Sequence, residues 1–177
     1  MRTVLAGRLR LVDLVGEGGS GTVWQAWDTR CRTCVAVKVV PRVTGDAQPP
    51  TCPPHRHPVV PTERLLDGDA HVSVMRLVRG GTADRLLAAY GALPHDYVGV
   101  LLDQLLRALA AVHTSGLVHR DVKPANILLE PTRTGRPHLR LGDLDVAARL
   151  GEVPPVLVGT DGYVAPEAAP GLPADAR

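Results

Sequence analysis

Three short segments carry residue types that could handle phosphate. His119-Arg120-Asp121-Val122-Lys123-Pro124-Ala125-Asn126 places a carboxylate, a cation and an amide within one loop. A positioned carboxylate can accept or orient a hydroxyl proton, and an ammonium can offset charge that develops on a transferring group. Gly16-Glu17-Gly18-Gly19-Ser20-Gly21-Thr22-Val23 spaces glycines so that backbone N–H groups could lie over phosphates. Val35-Ala36-Val37-Lys38 sets one cation on an apolar strand. Taken alone, the glycine spacing is a weak signal, and Lys38 reads as well as a surface lysine whose stem packs on apolar neighbours.

Composition sharpens these readings. Lys38 and Lys123 are the only lysines among 20 basic residues, and Asn126 is the only asparagine. A chain rich in Arg, Ala, Gly, Pro and Val keeps these three residues only at positions inside the three segments. The 177 residues suit one domain or part of a larger one, and 45% hydrophobic content is enough to bury a core. A net charge of +2 does not suggest nucleic acid as a partner. No apolar run approaches the ~20 residues of a membrane span. The first eleven residues lack the apolar stretch of a secretory signal. Three cysteines, an odd number, argue against a disulfide framework. The expected location is cytoplasmic.

These residues need elements to hold them. β-Branched and aromatic residues broken by Gly predict strands over 9–15, 22–28 and 34–40. The glycine segment then joins two strands. A dinucleotide-binding turn would instead open a helix, so a strand–loop–strand flap over a nucleotide is the better reading. Six prolines between Pro41 and Pro58 predict an irregular loop. Residues 59–66 and 71–78 read as a hairpin around Asp67-Gly68, and Gly80-Gly81 marks a break. Beyond it a short helix is expected over 82–90 with Thr82 as N-cap. Leu101, Leu102, Leu105, Leu106, Leu109 and Val112 give the spacing of an amphipathic helix over 97–113, stopped at Ser115-Gly116. Short strands and loops follow to Gly142, then mostly loop. The expectation is an α+β chain with a β-rich lobe at 1–79 and a helical lobe at 80–177.

The loop at 119–126 matches His-Arg-Asp-x-Lys-Pro-x-Asn at every specified position, and here the chain resembles the bacterial eukaryotic-like Ser/Thr protein kinases. The resemblance implies a two-lobed kinase fold, ATP and Mg2+ as cofactors, and a protein Ser/Thr hydroxyl as substrate. It implies that Asp121 accepts or orients the hydroxyl proton, that Lys123 neutralises the transferring group, and that Thr160 hydrogen-bonds toward both. Asn126 and Asp143 would hold Mg2+, and Lys38 would pair with the α- and β-phosphates. Gly16, Glu17, Gly18, Gly19, Ser20 and Gly21 would cover the phosphates. Val15, Val23, Ala36, Met75 and Leu128 would line the adenine pocket, with Met75 as gatekeeper and residues 76–78 as hinge. Gly159-Thr160-Asp161-Gly162-Tyr163-Val164-Ala165-Pro166-Glu167 resembles the substrate-facing loop and its closing Ala-Pro-Glu.

The chain also departs from the family pattern. The family has a helix whose Glu pairs with the strand lysine, but the 18 residues between Lys38 and His57 contain no Glu, and Asp46 is their one carboxylate. That helix is expected to be missing. Asp143-Leu144-Asp145 stands in place of Asp-Phe-Gly. No Ser, Thr or Tyr lies between Val146 and Val158, where activation-loop phosphorylation would occur. The chain also stops before the helices that would complete the second lobe, which leaves Leu102, Leu105, Leu106 and Leu109 partly uncovered and implies a partner or poor solubility. An alternative to phosphate transfer is therefore a pseudokinase or nucleotide-binding interaction module.

Cys31-x-x-Cys34 and Cys52-x-x-His55-x-His57 have zinc-like ligand types and spacing. Against that, Cys31 falls in a turn, Cys34 begins a strand and Cys52 lies in an irregular loop, so no zinc is expected. His119 is expected to be structural, and Trp24 and Trp27 to face opposite sides of one strand.

Overall fold

The computed structural model describes residues 3–19, 21–41, 52, 54–144, 147–152, 159–166 and 173. The chain divides into two compact units, Met1–Ala47 with Pro61–Leu77, and Gln48–Val60 with Val78–Arg177.

The first unit is a six-stranded antiparallel sheet of order β1-β2-β3-β4-β6-β5. Its strands are β1 (Val4–Leu5), β2 (Leu9–Gly18), β3 (Gly21–Asp28), β4 (Thr33–Pro41), β5 (Glu63–Asp67) and β6 (Ala70–Arg76). Side chains alternate between faces along each strand. Val35 and Val37 of β4 therefore join Leu9, Ala26, Val72 and Val74 in one apolar core. Ala36 and Lys38 belong to the other face, with Val23 paired to Lys38 and Met75 paired to Ala36. Two register shifts in β2 leave Val12 and Val15 without an opposed residue on β3. Each extra residue increases the local twist of a strand.

The hairpin between β2 and β3 needs its last glycine. Gly21 has φ 115, and a Cβ there would lie 2.4 Å from the Val39 carbonyl oxygen of β4. At the far end of the sheet Asp28, almost fully buried, accepts from Arg8 Nη1 at 2.6 Å and from the Arg30 amide at 2.8 Å. Arg8 and Arg30 both reach Glu63, which fastens β5 to the other strands.

The second unit contains α1 (Ala83–Tyr90), α2 (His95–Thr114), β7 (Leu117–Val118), β8 (Ile127–Glu130), β9 (His138–Leu141) and β10 (Ala148–Arg149). β8 pairs with β9, and β7 with β10. Leu101, Leu105, Ala108 and Leu109 of α2 pack on Leu139 and Leu141 of β9. Val112 joins Cys52, Leu117, Leu144 and Ala147 in a second cluster. Leu102 and Leu106 stay 52% and 57% exposed. No helix among the described residues is long and apolar enough to cross a membrane.

Several expectations are corrected. The arm expected at 59–66 is a strand only over β5, because Val59 donates its amide to Leu141 O at 2.8 Å and so belongs to the second unit. Residues 48–60 group with that unit, so the two units are not continuous in chain order at 79/80. Thr82 is extended, as an N-cap requires, but makes no side-chain cap bond; its backbone bridges to Leu128 instead. Helix α2 begins at His95, two residues early, since Pro94 offers its carbonyl to the Val98 amide at 3.0 Å. The edge strand β1 was not expected; Ala6 and Gly7 turn it back with positive φ. The missing-helix reading and Asp46 fall on residues 42–51, outside the described residues, as do Ser20, Asp145 and Glu167.

Candidate active site

The loop at 119–126 runs from β7 to β8 and buries His119, Asp121 and Asn126, with Arg120 and Lys123 half-buried. Asp121 is 7% exposed. Its Oδ1 accepts from Thr160 Oγ1 at 2.7 Å. Its Oδ2 accepts from Asn126 Nδ2 at 2.9 Å and from Lys123 Nζ at 2.8 Å. Lys123 Nζ also donates to Thr160 Oγ1. Asn126 Nδ2 makes a second bond, to the Asp121 backbone carbonyl, at 2.8 Å. Burial by itself would raise the Asp121 carboxyl, but donors from Lys123, Thr160 and Asn126 outweigh it and hold the carboxyl below its usual range.

His119 fixes the loop from below. Its Nε2 lies 2.9 Å from the Gly142 carbonyl, and the Asp121 amide reaches its Nδ1 at 3.3 Å. A carbonyl accepts and an amide donates, so the ring is the neutral Nε2–H tautomer. Burial, the largest influence, pushes its pKa down and favours that neutral form. The Gly142 amide donates to Asn126 O at 2.9 Å. Both peptides flanking Gly142, the residue before Asp143, are thus held by the 119–126 loop, and Asp143 itself has φ 59. A non-glycine residue in that conformation is strained and is kept there by its surroundings. Leu144 fills the hydrophobic cluster beside it.

The donor set suits Mg2+. Both Asn126 amide hydrogen bonds use Nδ2, which assigns Oδ1 as the acceptor left for another ligand, and Asp143 adds a carboxylate. Mg2+ prefers oxygen ligands and is usually held by one or two carboxylates together with substrate phosphates. Among the described residues no group of three or more His, Cys, Asp or Glu gathers as a metal site. Cys31 is exposed, Cys34 half-buried and Cys52 buried in a hydrophobic cluster.

The other candidate residues lie as follows. Lys38 is 4% exposed on β4, and Val23, Ala36 and Met75 share its face of the sheet. Val15 is one of the two unopposed residues of β2, and Gly16, Glu17, Gly18 and Gly19 are exposed on the hairpin. Leu128 lies on β8 in the second unit, where its side chain closes on Gly142. Two contributors escaped the sequence reading. One is the Gly142 peptide, whose signal is only a glycine before an aspartate. The other is β10, two residues long, whose pairing to β7 no local pattern announces.

Comparison with known proteins agrees with this geometry. Residues 9–175 match the protein kinase domain. The chain is 35% identical to the Ser/Thr protein kinase PknA of Mycobacterium tuberculosis over 189 residues, covering 94% of this chain and 42% of PknA. It is 34% identical to PkaA of Streptomyces coelicolor, covering 92% of this chain and 35% of PkaA, and 35% identical to PknL of Mycobacterium tuberculosis, covering 86% and 41%. The chain therefore spans about two fifths of the length of these relatives. With residues 9–175 of its 177 matched to that domain, the chain belongs to the protein kinase family, among the bacterial eukaryotic-like Ser/Thr kinases.

Proposed function

We propose that this chain acts in transfer of the ATP γ-phosphoryl group to a protein Ser or Thr hydroxyl, with Asp121 as the residue that receives the hydroxyl. The observation that carries this reading is the state of the Asp121 carboxylate. A carboxylate offers about four lone-pair sites, and Thr160, Asn126 and Lys123 use three. The site left on Oδ1 can accept a substrate hydroxyl. Because the three donors lower its basicity, Asp121 orients the nucleophile first and takes the proton late, as the new P–O bond forms and the bond to ADP breaks. Lys123 keeps positive charge where the transferring group gains negative charge. Mg2+, held by Asn126 and Asp143, would supply charge neutralisation on the phosphates. In the first unit, Lys38 would pair with the phosphates, the glycine hairpin would cover them, and Val15, Val23, Ala36 and Met75 would contact the base. We assign the first unit as the counterpart of the kinase N-lobe and the second as part of the C-lobe.

Radiolabelled phosphate transfer to a Ser/Thr peptide tests the reading, with Asp121→Asn as control. Transfer by the wild type that Asp121→Asn removes is expected; transfer equal in both would overturn the assignment. Mg-ATP should also raise the melting temperature, and Lys38→Met should abolish that shift. A shift without transfer would identify a nucleotide-binding module instead.

A further inference from the structure

Residues 54–57 and helix α2, both in the second unit, line a cavity of about 770 Å3, a volume typical of small-molecule sites. Ala110 and Ala111 supply small apolar surface, and His55, Arg56, His57, Asp103 and Arg107 border the space. None of these side chains belongs to the network around Asp121. His57 is 2% exposed, and its Nδ1–H donates to Leu139 O at 3.0 Å. That leaves Nε2 for another partner, and none of the described residues supplies one. The His57 amide reaches His55 Nδ1 at 3.4 Å, so the His55 ring is the Nε2–H tautomer and offers a donor. Arg107 gives its Nε to Asp103 at 2.9 Å and keeps both Nη groups for a further acceptor. Arg56 is exposed, with its backbone carbonyl fixed by Arg140 Nη1.

We propose that this cavity binds a phosphate group, with Arg56 and Arg107 holding its charge and His55 and His57 hydrogen-bonded to its oxygens. Asp103 is the one carboxylate among the lining residues, and its bond to Arg107 Nε sets that guanidinium in place. Around His57 stand His55 and Arg56 from its own segment, Asp103 from α2 and His138 from β9, whose ring stacks at 5.4 Å. His138 in turn lies 4.0 Å from Glu130, which Arg140 engages at 2.8 Å. Burial pushes the His57 pKa down, and Arg56, His138 and His55 add to that push. An anion in the cavity would offset it. Arginine matches phosphate oxygens with its planar fork of donors. A phosphate monoester loses its second proton near pH 6, so it can offer a hydroxyl to neutral His57 Nε2 or accept from the protonated ring. In both cases one proton lies between nitrogen and oxygen, and no other bond changes. A carboxylate ligand brings no such hydroxyl at neutral pH. The site uses neither Asp121 nor a nucleotide, so it stands apart from the proposed function.

Imidazole NMR of the full chain, titrated with inorganic phosphate at constant ionic strength, tests the site without catalysis. Phosphate should saturably raise the pH at which His57 takes its proton, by about one unit, while sodium chloride leaves it in place. Arg56→Gln and Arg107→Gln should each weaken phosphate binding by roughly tenfold. Both arginines are exposed, so neither substitution removes buried packing. Lys38→Met should leave the His57 response as it is, because Lys38 belongs to the other unit. A response that Lys38→Met removes, or that survives both arginine substitutions, would overturn the proposal. So would an equal response to chloride, or none to phosphate. A phosphoserine peptide run beside inorganic phosphate separates the sources. Tighter binding of the peptide assigns the cavity to a phosphorylated protein, and equal or tighter binding of the free ion assigns it to a small phosphate.

Discussion

The glycine hairpin at 16–21 and the catalytic loop at 119–126 are both loops that carry a motif, yet they are built in opposite ways. The described residues of the hairpin are mostly exposed, and strand pairing on either side with Gly21 under Val39 defines the shape. The catalytic loop buries His119, Asp121 and Asn126 and links them by side-chain hydrogen bonds to each other, to Gly142 and to Thr160. A hairpin held by its backbone can adapt to a ligand, which fits the binding role proposed for it. A loop held by its side chains is fixed before the reactants arrive, which is what catalysis by positioning demands.

The largest expected effect tests the second half of that contrast. Asp121→Asn should lower phosphate transfer by about 100- to 10,000-fold with the melting transition still cooperative. A loss of folding instead would mean that the network serves stability before chemistry.

Leu139 is fully buried on β9, the strand that leads to Asp143, where it packs against α2. Leu139→Ala should cost about 2–5 kcal/mol in denaturant unfolding and lower transfer as well. An unchanged midpoint would show that α2 can close the cavity.

The hairpin supplies the contrast within one motif. Gly21→Ala places a methyl carbon against the Val39 carbonyl at positive φ and should cost about 1–3 kcal/mol. Gly18→Ala meets open space and should change stability by less than about 0.5 kcal/mol, so any loss it causes should appear in ATP affinity. Equal destabilisation by both would break the comparison.

The smallest effect is a pH dependence. His57 is buried, and its Nδ1–H donates to Leu139 O at 3.0 Å. Burial, the largest influence, lowers its pKa from 6.5, with Arg56, His138 and His55 acting in the same direction. The native state thus binds the proton less readily than the unfolded chain. Its contribution is present above pH 6.5 and is lost as pH falls from there through the lowered native value. His57→Gln should flatten that part of the stability curve; a slope unchanged by the substitution would assign it to another group.

The sequence by itself determined which residues could do the chemistry. Lys38, Asp121, Lys123, Asn126 and Asp143 stand out because their types are scarce here or their spacing is specific, and because a loop of eight residues is local in the chain. Strands β2, β3 and β4 and helix α2 were legible for the same reason, since apolar periodicity and glycine stops act over a few residues. What tertiary structure decided depends on partners distant in the chain. Val59 and Val60 read as strand, and a bridge to Leu141, 82 residues on from Val59, draws this stretch to the second unit. Of the donors that lower the Asp121 carboxyl against its burial, Lys123 is local but Thr160 is 39 residues away. The tautomer of His119 requires Gly142, and Ala148 and Arg149 form a strand only because β7 is there to pair with them. A local pattern states what a residue can do, while burial and a distant hydrogen-bond partner set its charge and orientation.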